Sequence, residues 1–281
     1  MYSRLHIRLF VLLFSFAAFA VSAQEPAVRS TKPARPVFSS FSFTAGGARL
    51  YDDYLSVSDY LGGEFGFLYE QMRALSAPSG RWIMRHRLDL SAACTRNFKM
   101  LSAMVSYSYG LLYGWEFPCG IALRSGGELA LSGGALYCRG NSNNPANAKA
   151  VLSLGYSEML SYTWRLARCP LTFRYHLTLR VAGVFFSPAF GESYYEMFYL
   201  GNHAGLAHFG SWHNRFDMGN LLTVEIPLGR HALRLGYTNT IRYSHAEHLR
   251  YFHCSHALLV GFSTPLGRKA SESRAVWQPF Y

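Results

Sequence analysis

Apolar and polar residues alternate with a period of two along most of this chain from Phe38 onward. The clearest stretch runs from Leu171 to Val181, where Leu, Phe, Tyr, Leu, Leu and Val alternate with Thr, Arg, His, Thr and Arg. The same period recurs at 101–111 and 233–243, and no stretch shows the spacing of an amphipathic helix. A period of two places alternate side chains on opposite faces of a strand, so the pattern predicts an all-β protein.

The length of the alternating segments distinguishes a membrane barrel from a soluble β-sandwich. Strands of soluble proteins usually have about five or six residues, whereas a tilted strand needs roughly 9 to 11 residues to cross a bilayer. The segments here match the longer value, and their polar face is rich in Gly, Ser, Thr and Arg. The pattern therefore favours a transmembrane antiparallel up-and-down β-barrel, apolar outside and polar inside. A soluble periplasmic β-protein is the alternative.

Ten strands are predicted, and an even number places both ends of the barrel sequence on one side of the membrane. They lie near 39–48, 63–74, 82–94, 100–114, 120–137, 150–166, 171–182, 218–228, 231–243 and 251–266. Short links follow every second strand, at 77–81, 117–120, 167–170 and 227–230. The links between them are longer, with a shorter exception at 95–99. Longer links are expected at 49–62, 138–149, 183–217 and 244–250. The segment 183–217 could hold another hairpin, so twelve strands are the alternative.

The first residues indicate export. Arg4 and Arg8 precede an apolar run from Leu9 to Val21, and the small residues near Ala23 form a cleavage site. The apolar run is shorter than the roughly 20 residues that a membrane helix needs. We therefore expect a signal peptide at 1–23, a disordered leader at 24–37, the barrel at 38–267 and a tail at 268–281, with the mature protein in the outer membrane.

Composition excludes some function classes. The 281 residues carry 27 Lys and Arg against 16 Asp and Glu, a formal net charge of +11. The Arg residues are dispersed rather than clustered and the chain is expected to be exported, so nucleic acid is not a predicted partner. The five Cys residues show no paired metal-ligand spacing, and the sequence predicts neither a zinc site nor a particular disulfide pattern.

Many charged residues fall on the face predicted to line the lumen. In a barrel of about ten strands they would meet across the axis, so we expect an ion-pair network that fills the interior. A constricted pore or a pocket for a small anionic ligand is the alternative, because Arg is in excess. The set comprises Glu64, Glu70, Arg85, Arg87, Asp89, Arg124, Glu128, Arg165, Arg174, His176, Arg180, Glu225, Arg234 and Arg242.

Glu158 does not fit the predicted faces. It shares its parity with Leu154, Tyr156 and Leu160, which should face lipid. A carboxylate there is unfavourable, and increasingly so toward the bilayer midplane. We expect a local bulge to turn Glu158 inward toward Arg124 or Arg174; an interface with a partner protein is the alternative.

Eleven His residues raise the question of metal binding. His203, His208 and His213 recur every five residues in the longest link, a spacing that matches neither a strand face nor a helical zinc motif. No metal site and no cofactor are predicted. External loop residues are nevertheless candidates for binding a ligand or a protein partner: Asn141, Asn144, Tyr194, Tyr195, His208, Trp212, His213 and Asn214.

Four segments resemble an uncharacterised family of exported proteins from Bacteroidales-type bacteria, known as domain of unknown function 3316. They are Asn141–Ala150, Val181–Pro188, Gly191–Glu196 and His208–Asn214, and the resemblance extends over roughly 44–266. It implies a barrel and an exported location but no activity and no catalytic residue.

The alternative with the sharpest chemistry is an outer-membrane lipid acyl hydrolase, such as a phospholipase or lipid A deacylase. Those families use a His-x-Ser pair on a barrel strand, and His253 and Ser255 have that spacing. Their parity, however, directs both side chains into the lumen, and the Asn-Gly continuation often found in those enzymes is absent. The sequence therefore favours an integral outer-membrane barrel without assigned catalysis, in contact with outer-membrane lipid.

Overall fold

The computed structural model describes residues 37–75, 81–166 and 169–266, which are almost entirely β-strand. A 3-10 turn at Arg96–Phe98 lies between the third and fourth strands. The elements are β1 (Val37–Asp52), β2 (Ser56–Ala74), β3 (Trp82–Thr95), β4 (Met100–Glu116), β5 (Ile121–Cys138), β6 (Ala146–Leu166), β7 (Cys169–Phe186), α1 (Tyr194–Phe198), β8 (Ala207–Ser211), β9 (Arg215–Leu228), β10 (His231–Ala246) and β11 (Leu249–Leu266). The predicted signal peptide, most of the leader and the tail lie outside the described residues.

The sheet closes on itself. Its order is β6-β5-β4-β3-β2-β1-β11-β10-β9-β7-β8, and pairing of β6 with β7 completes the ring. β8 and β9 share one position in this ring, because β7 pairs with β8 through Ala182–Phe186 and with β9 through Thr172–Arg180. The barrel therefore has ten strand positions, as predicted. The short strand β8 does not produce the twelve-strand alternative.

The strands at one end extend farther than predicted. β1 and β2 remain paired as far as Asp52 and Ser56, so the expected long link at 49–62 is wrong and only 53–55 connect them. β10 and β11 are joined by Glu247 and His248 alone, whose φ angles of 49° and 64° suit a two-residue hairpin turn. Among the described residues, the long connections are 139–145 and 187–206. We call the end of the barrel that carries these connections the loop end. The opposite end, where β1 begins, is the turn end.

The two faces of the wall differ as the alternation predicts. Phe43, Phe65 and Leu258 are between 63% and 73% exposed on the outside, whereas Glu70 and Arg85 are at most 1% exposed inside. Trp82, Tyr113 and Trp115 form a chain of aromatic contacts at the turn end, with ring centroids 5.1 and 4.8 Å apart. Aromatic residues at the edge of an apolar band are typical of membrane barrels.

Glycines at inward positions let neighbouring strands approach closely. A Cβ on Gly46 would lie 1.9 Å from the carbonyl oxygen of His256, and one on Gly126 would lie 2.0 Å from that of Leu111. No side chain can occupy such a space without movement of the backbone. Glycines of this kind allow strands to curve sharply around a small barrel.

Glu158 faces outward, and the expectation that a bulge turns it inward is wrong. The only irregularity recorded in the β6–β7 pairing lies at Leu154 and Gly155, while Glu158 stays in register opposite Leu177. Its carboxylate accepts a hydrogen bond of 2.5 Å from the Tyr156 hydroxyl, which itself accepts one of 2.8 Å from Ser125. The local hydrogen bonds satisfy the carboxylate on the outer face, so no inward rotation is needed.

No helix within the described part of the chain is both long enough and apolar enough to cross a membrane.

Candidate functional site: the filled lumen and its lid

A buried carboxylate on β2 holds together the half of the lumen near the turn end. Glu70 lies 2.8 Å from the guanidinium of Arg85, 3.1 Å from that of Arg174 and 3.0 Å from that of Arg234. All four side chains are at most 1% exposed. Since the three Arg residues come from β3, β7 and β10, this cluster crosses the barrel axis and ties opposite walls together.

Two further carboxylates extend the cluster. Glu128 lies 2.7 Å from Arg85 and also pairs with Arg180, and Glu225 lies 3.5 Å from Arg174. Closer to the turn end the interior is apolar and is filled by Phe38, Met72, Ile83, Met159 and Ala232. The ion pairs, together with the apolar layer on their turn-end side, leave no open channel through this part of the described barrel.

The middle of the lumen contains polar groups and small cavities. His253 Nε2 lies 2.8 Å from Glu64 Oε2, and Arg87 makes a bidentate pair with Asp89 at 2.8 and 2.9 Å. Three cavities of about 40, 40 and 30 Å³ surround Arg242, which lines all of them. Since a water needs roughly 10–15 Å³ by a comparable measure, each cavity has room for only a few waters.

Two further members of the predicted lumen set are also buried in the interior. His176 is 1% exposed and makes a hydrogen bond of 2.8 Å with Ser157, and Arg124 is also buried. Arg165 is exposed near the turn end of β6 and is not part of the filling. The structure thus brings most of the predicted charges together inside the barrel but leaves Arg165 outside the cluster.

A lid closes the loop end. Helix α1 begins with a capping box, in which Ser193 and Glu196 bond each other's backbone N–H groups, and it directs Met197 and Tyr194 inward. The Tyr54 hydroxyl donates a hydrogen bond of 2.8 Å to the carbonyl of Glu192, and the rings of Tyr54 and Tyr194 meet edge to face at 6.0 Å. Burial beneath the lid raises the pKa of Tyr54 to about 12.

Beneath the lid lies a buried acid that the sequence did not identify. Asp52 is 1% exposed, accepts hydrogen bonds of 3.0 and 2.9 Å from Asn147 and lies 2.9 Å from Lys149. Asn147 also accepts a hydrogen bond of 3.2 Å from Tyr194, which connects the acid to the lid. Asp52 shares the inward parity of Ala48 and Leu50, so continuing β1 past residue 48 would have identified it.

The predicted external loop residues have several different environments. Asn141 and Asn144 lie in the 139–145 link, and Tyr194 and Tyr195 lie on α1, the first packed inward and the second exposed. His208 is not in a loop but on β8, while Trp212, His213 and Asn214 form the turn between β8 and β9. Trp212 donates to the Arg180 carbonyl at 3.0 Å and remains exposed on the outside of the wall.

The described residues contain no group of three or more His, Cys, Asp or Glu side chains arranged to hold a metal ion. All five Cys residues lie in the described ranges, and each is a free thiol.

His253 and Ser255 both point into the lumen, where they are 1% and 2% exposed beside Glu64. A lipid outside the barrel has no contact with either side chain. The geometry therefore does not favour a lipid hydrolase built on this pair.

Solved structures similar to this chain are outer-membrane β-barrels, although the likeness is distant. The outer membrane protease OmpT from Escherichia coli is 6% identical, with coverage of 84% of this chain and 99% of that chain and a TM-score of 0.43. The translocator domain of autotransporter NalP from Neisseria meningitidis is 8% identical over 92% and 95%, with a TM-score of 0.37. The beta domain of the Bordetella autotransporter BrkA is 10% identical over 83% and 99%, with a TM-score of 0.41.

A search of curated proteins finds no match. A family model described as "Protein of unknown function (DUF3316)" matches residues 6–271, nearly the whole chain. The chain therefore belongs to the DUF3316 family, and its own fold is a closed ten-stranded antiparallel β-barrel of the outer-membrane type.

Proposed function

We propose that this protein is an integral outer-membrane barrel that does not conduct solutes and that acts by binding at its loop-end surface outside the cell. The observation that carries the proposal is the filled lumen. The Glu70 cluster and the apolar layer below it occupy the turn half, and the lid occupies the loop end. A barrel filled in this way serves as a rigid support for the lid at its loop end.

Membrane insertion is supported by the outer surface. Large apolar side chains are exposed on every side of the barrel wall, including Phe43 on β1, Leu131 on β5, Leu154 on β6 and Leu258 on β11. Soluble monomers rarely expose contiguous apolar patches larger than a few hundred Å², whereas exposed apolar side chains surround the wall of this barrel. Burial in lipid removes this surface from water, which disfavours the soluble periplasmic alternative.

The orientation is supported by the connections. Membrane barrels usually place short turns in the periplasm and longer segments outside. Here the long segments 139–145 and 187–206 share one end, and the beginning of β1 and the end of β11 share the other. Export through the segment 1–23 would place the turn end in the periplasm and the lid outside.

The lid presents an unusual surface to the exterior. Tyr195 and Tyr199 are stacked with ring centroids 4.7 Å apart, and Phe190, Phe198 and Leu200 are between 63% and 74% exposed. Exposed aromatic clusters on a structured segment are typical of binding surfaces. The cavities of the lumen, of about 30 to 40 Å³ each, are too small for an organic anion. We therefore place the binding surface on the lid and not in the interior.

Conductance tests the filled lumen. Purified protein reconstituted into planar bilayers should give no stepwise current under conditions in which an open porin does. Replacing Phe190–Leu200 with a Gly-Ser linker of equal length should still give no current, since the Glu70 cluster and the apolar layer remain. Stepwise conductance from the unaltered protein would exclude a closed barrel.

Epitope insertion tests the orientation. A short epitope placed after Asn144 should be detected by antibody on intact cells, whereas one placed after Gly229, in the turn between β9 and β10, should be detected only after the outer membrane is opened. Detection of the Gly229 epitope alone on intact cells would reverse the assignment of the two ends. Retention of both variants in the soluble periplasmic fraction would exclude membrane insertion.

A further inference from the structure

A cysteine and a histidine lie together on the outside of β11, on the face opposite His253 and Ser255. Cys254 Sγ lies 3.5 Å from His256 Nε2, within hydrogen-bonding distance for sulfur. The two residues are two positions apart on one strand, so both side chains leave the wall in the same direction. His256 is exposed and Cys254 is partly exposed. A thiol beside an imidazole is the usual arrangement of a nucleophile with its base.

A third residue orients the histidine. The hydroxyl of Tyr237, on the adjacent strand β10, makes a hydrogen bond with His256 Nδ1 on the far side of the ring from Cys254. The Asn239 amide nitrogen also lies 3.4 Å from Nδ1. His256 acts as a base in the tautomer in which Nδ1 donates its proton to the Tyr237 oxygen and the Nε2 lone pair faces the thiol. The order of groups is thus nucleophile, base and orienting residue.

An apolar groove begins beside this pair. Its volume is about 520 Å³, within the range of roughly 300–1,000 Å³ typical of small-molecule sites. The groove lies on the outer surface and is lined by Phe43, Ala45, Phe65, Leu235, Leu258 and Val260. Leu258 and Val260 continue the outward column of Cys254 and His256 toward the turn end. The small side chain of Ala45, opposite Leu258, leaves the depression open.

The pair lies at the boundary between the apolar band and charged residues. Toward the turn end the outward column of β11 is Leu258, Val260 and Phe262. In the other direction Arg49, the cross-strand partner of Cys254, pairs with Asp59 at 2.8 Å, and its guanidinium lies 5.4 Å from the centre of the Phe252 ring. We therefore expect the pair to lie at the depth at which the acyl esters of membrane lipids connect apolar chains to polar headgroups.

We propose that Cys254 and His256 form a membrane-facing acyl-ester hydrolase site, in which the groove holds one acyl chain of a membrane lipid. His256 Nε2 takes the thiol proton as Cys254 Sγ attacks the ester carbonyl carbon. The C–O ester bond then breaks, and His256 returns the proton to the departing lipid oxygen, which leaves as an alcohol. The acyl group remains on Cys254 as a thioester.

Water completes the cycle. His256 takes a proton from a water molecule that attacks the thioester carbonyl carbon, the C–S bond breaks, and the fatty acid leaves as Cys254 recovers its proton from His256. One ester and one water thus give one alcohol and one fatty acid, with no oxidant, metal or further reactant. Arg49 Nη1, which makes no hydrogen bond to the described residues, is the nearby donor suited to the carbonyl oxygen.

Acylation of the whole protein in detergent micelles gives the first test. Incubation with p-nitrophenyl palmitate should add one palmitoyl group, located at Cys254 by peptide mass spectrometry and removed by neutral hydroxylamine. Cys254→Ala should abolish the adduct, and His256→Gln should slow its formation by about 100-fold or more. Cys94→Ala is the matched control, because Cys94 is also partly exposed but contacts no histidine among the described residues. Acylation distributed over several cysteines, or unchanged by His256→Gln, would overturn the proposal.

Ester substrates with acyl chains of different length test the role of the groove. Ala45→Leu should fill the depression and slow acylation by the palmitoyl ester about tenfold or more relative to acylation by p-nitrophenyl acetate. Ala103→Leu, at an exposed alanine on β4 outside the groove, should change neither rate. Equal slowing of both esters by Ala45→Leu would remove the groove from the site.

The orienting role of Tyr237 has its own test. Tyr237→Phe should shift the pH profile of acylation while leaving the thermal midpoint unchanged. An unaltered pH profile would exclude the orienting role of Tyr237.

Natural lipids give the decisive measurement. Mixed micelles containing dipalmitoyl phosphatidylglycerol or lipid A should release palmitate or another fatty acid with the unaltered protein and not with Cys254→Ala. Absence of fatty acid from both lipids would overturn the proposal. This result is independent of bilayer conductance, so the closed barrel and the hydrolase site can fail separately.

Discussion

Glu70 on β2 and Arg85 on β3 form a 2.8 Å ion pair inside the barrel, and both side chains are 1% exposed. Removal of one partner from a buried pair usually costs about 3–5 kcal/mol, because the remaining charge is left without compensation. Glu70→Gln would leave Arg85, Arg174 and Arg234 facing a neutral amide. We therefore expect the free energy of unfolding in detergent, measured by denaturant titration, to fall by about 3–5 kcal/mol.

The exposed pair of Arg49 and Asp59 is the control for this measurement. Its geometry is similar, with a 2.8 Å contact, but both side chains are about half exposed. Asp59→Asn should change the free energy of unfolding by no more than about 1 kcal/mol. Equal losses in Glu70→Gln and Asp59→Asn would contradict the assignment of the Glu70 cluster as the centre of the filled lumen.

The hydrogen bond from Tyr156 to Glu158 can be measured with a double-mutant cycle. Because hydrogen bonds to charged groups contribute about 1.5–3 kcal/mol, Tyr156→Phe should lower the free energy of unfolding by an amount in that range. In a Glu158→Leu background the same change should have little effect, and Glu158→Leu alone should stabilise a barrel whose outer face meets lipid. A loss of stability in Glu158→Leu greater than that in Tyr156→Phe would show that Glu158 makes a further contact, with a partner or with the interior.

The lid can be released without unfolding the barrel. Tyr194→Phe removes the hydroxyl that accepts from the Ala148 N–H at 2.5 Å and donates to Asn147. We expect limited proteolysis to cut within 187–206 faster in this variant, while heat-modifiable migration on gels remains that of the folded barrel. Tyr195→Phe, at the exposed neighbour, should leave the cutting rate unchanged.

The capping box of α1 predicts a pH dependence. Hydrogen bonds from the backbone N–H and hydroxyl of Ser193 lower the pKa of Glu196 below its ordinary value of 4.5. A lowered folded-state pKa gives stability that is present above the unfolded value and is lost as the pH falls through the folded value. Hydrogen-exchange protection of 193–198, corrected for intrinsic rates, should therefore decrease below about pH 4.5, and Glu196→Gln should remove this dependence. Protection that is independent of pH in the unaltered protein would show that the cap does not control the helix.

Alanine substitutions at two glycines distinguish the effect of close strand packing on stability from the effect of backbone flexibility. A Cβ on Gly46 would meet the His256 carbonyl oxygen at 1.9 Å, whereas one on Gly127 would have nothing within 4 Å. Gly46→Ala should lower the free energy of unfolding by about 1–3 kcal/mol or prevent folding. Gly127→Ala should be neutral or stabilising by about 0.5–1 kcal/mol. For Gly46→Ala, a lower denaturant midpoint would report the loss of stability, and a lower folding yield would report the failure to fold.

The sequence by itself determined the strands and their faces. The period of two is a local property of an extended chain, so the directions of Arg174, Glu70 and Phe43 follow from their neighbours without knowledge of the partner strand. The number of barrel strands followed in the same way, from counting alternating segments between links. The outward direction of Glu158 was already given by its parity, and the expected inward turn failed because Tyr156, two residues away, supplies the hydrogen bond the carboxylate needs.

Only the tertiary structure decided which inward and outward residues meet. Glu70 contacts Arg174 and Arg234 because the register and closure of the ring bring β2, β7 and β10 to one level, and register depends on pairing between residues far apart in sequence. The same pairing extended β1 to Asp52, folded α1 over the lumen and placed Arg49 beside Cys254. Alternation specifies the face of each residue, whereas its height and neighbours are fixed by the closed hydrogen-bonded ring as a whole.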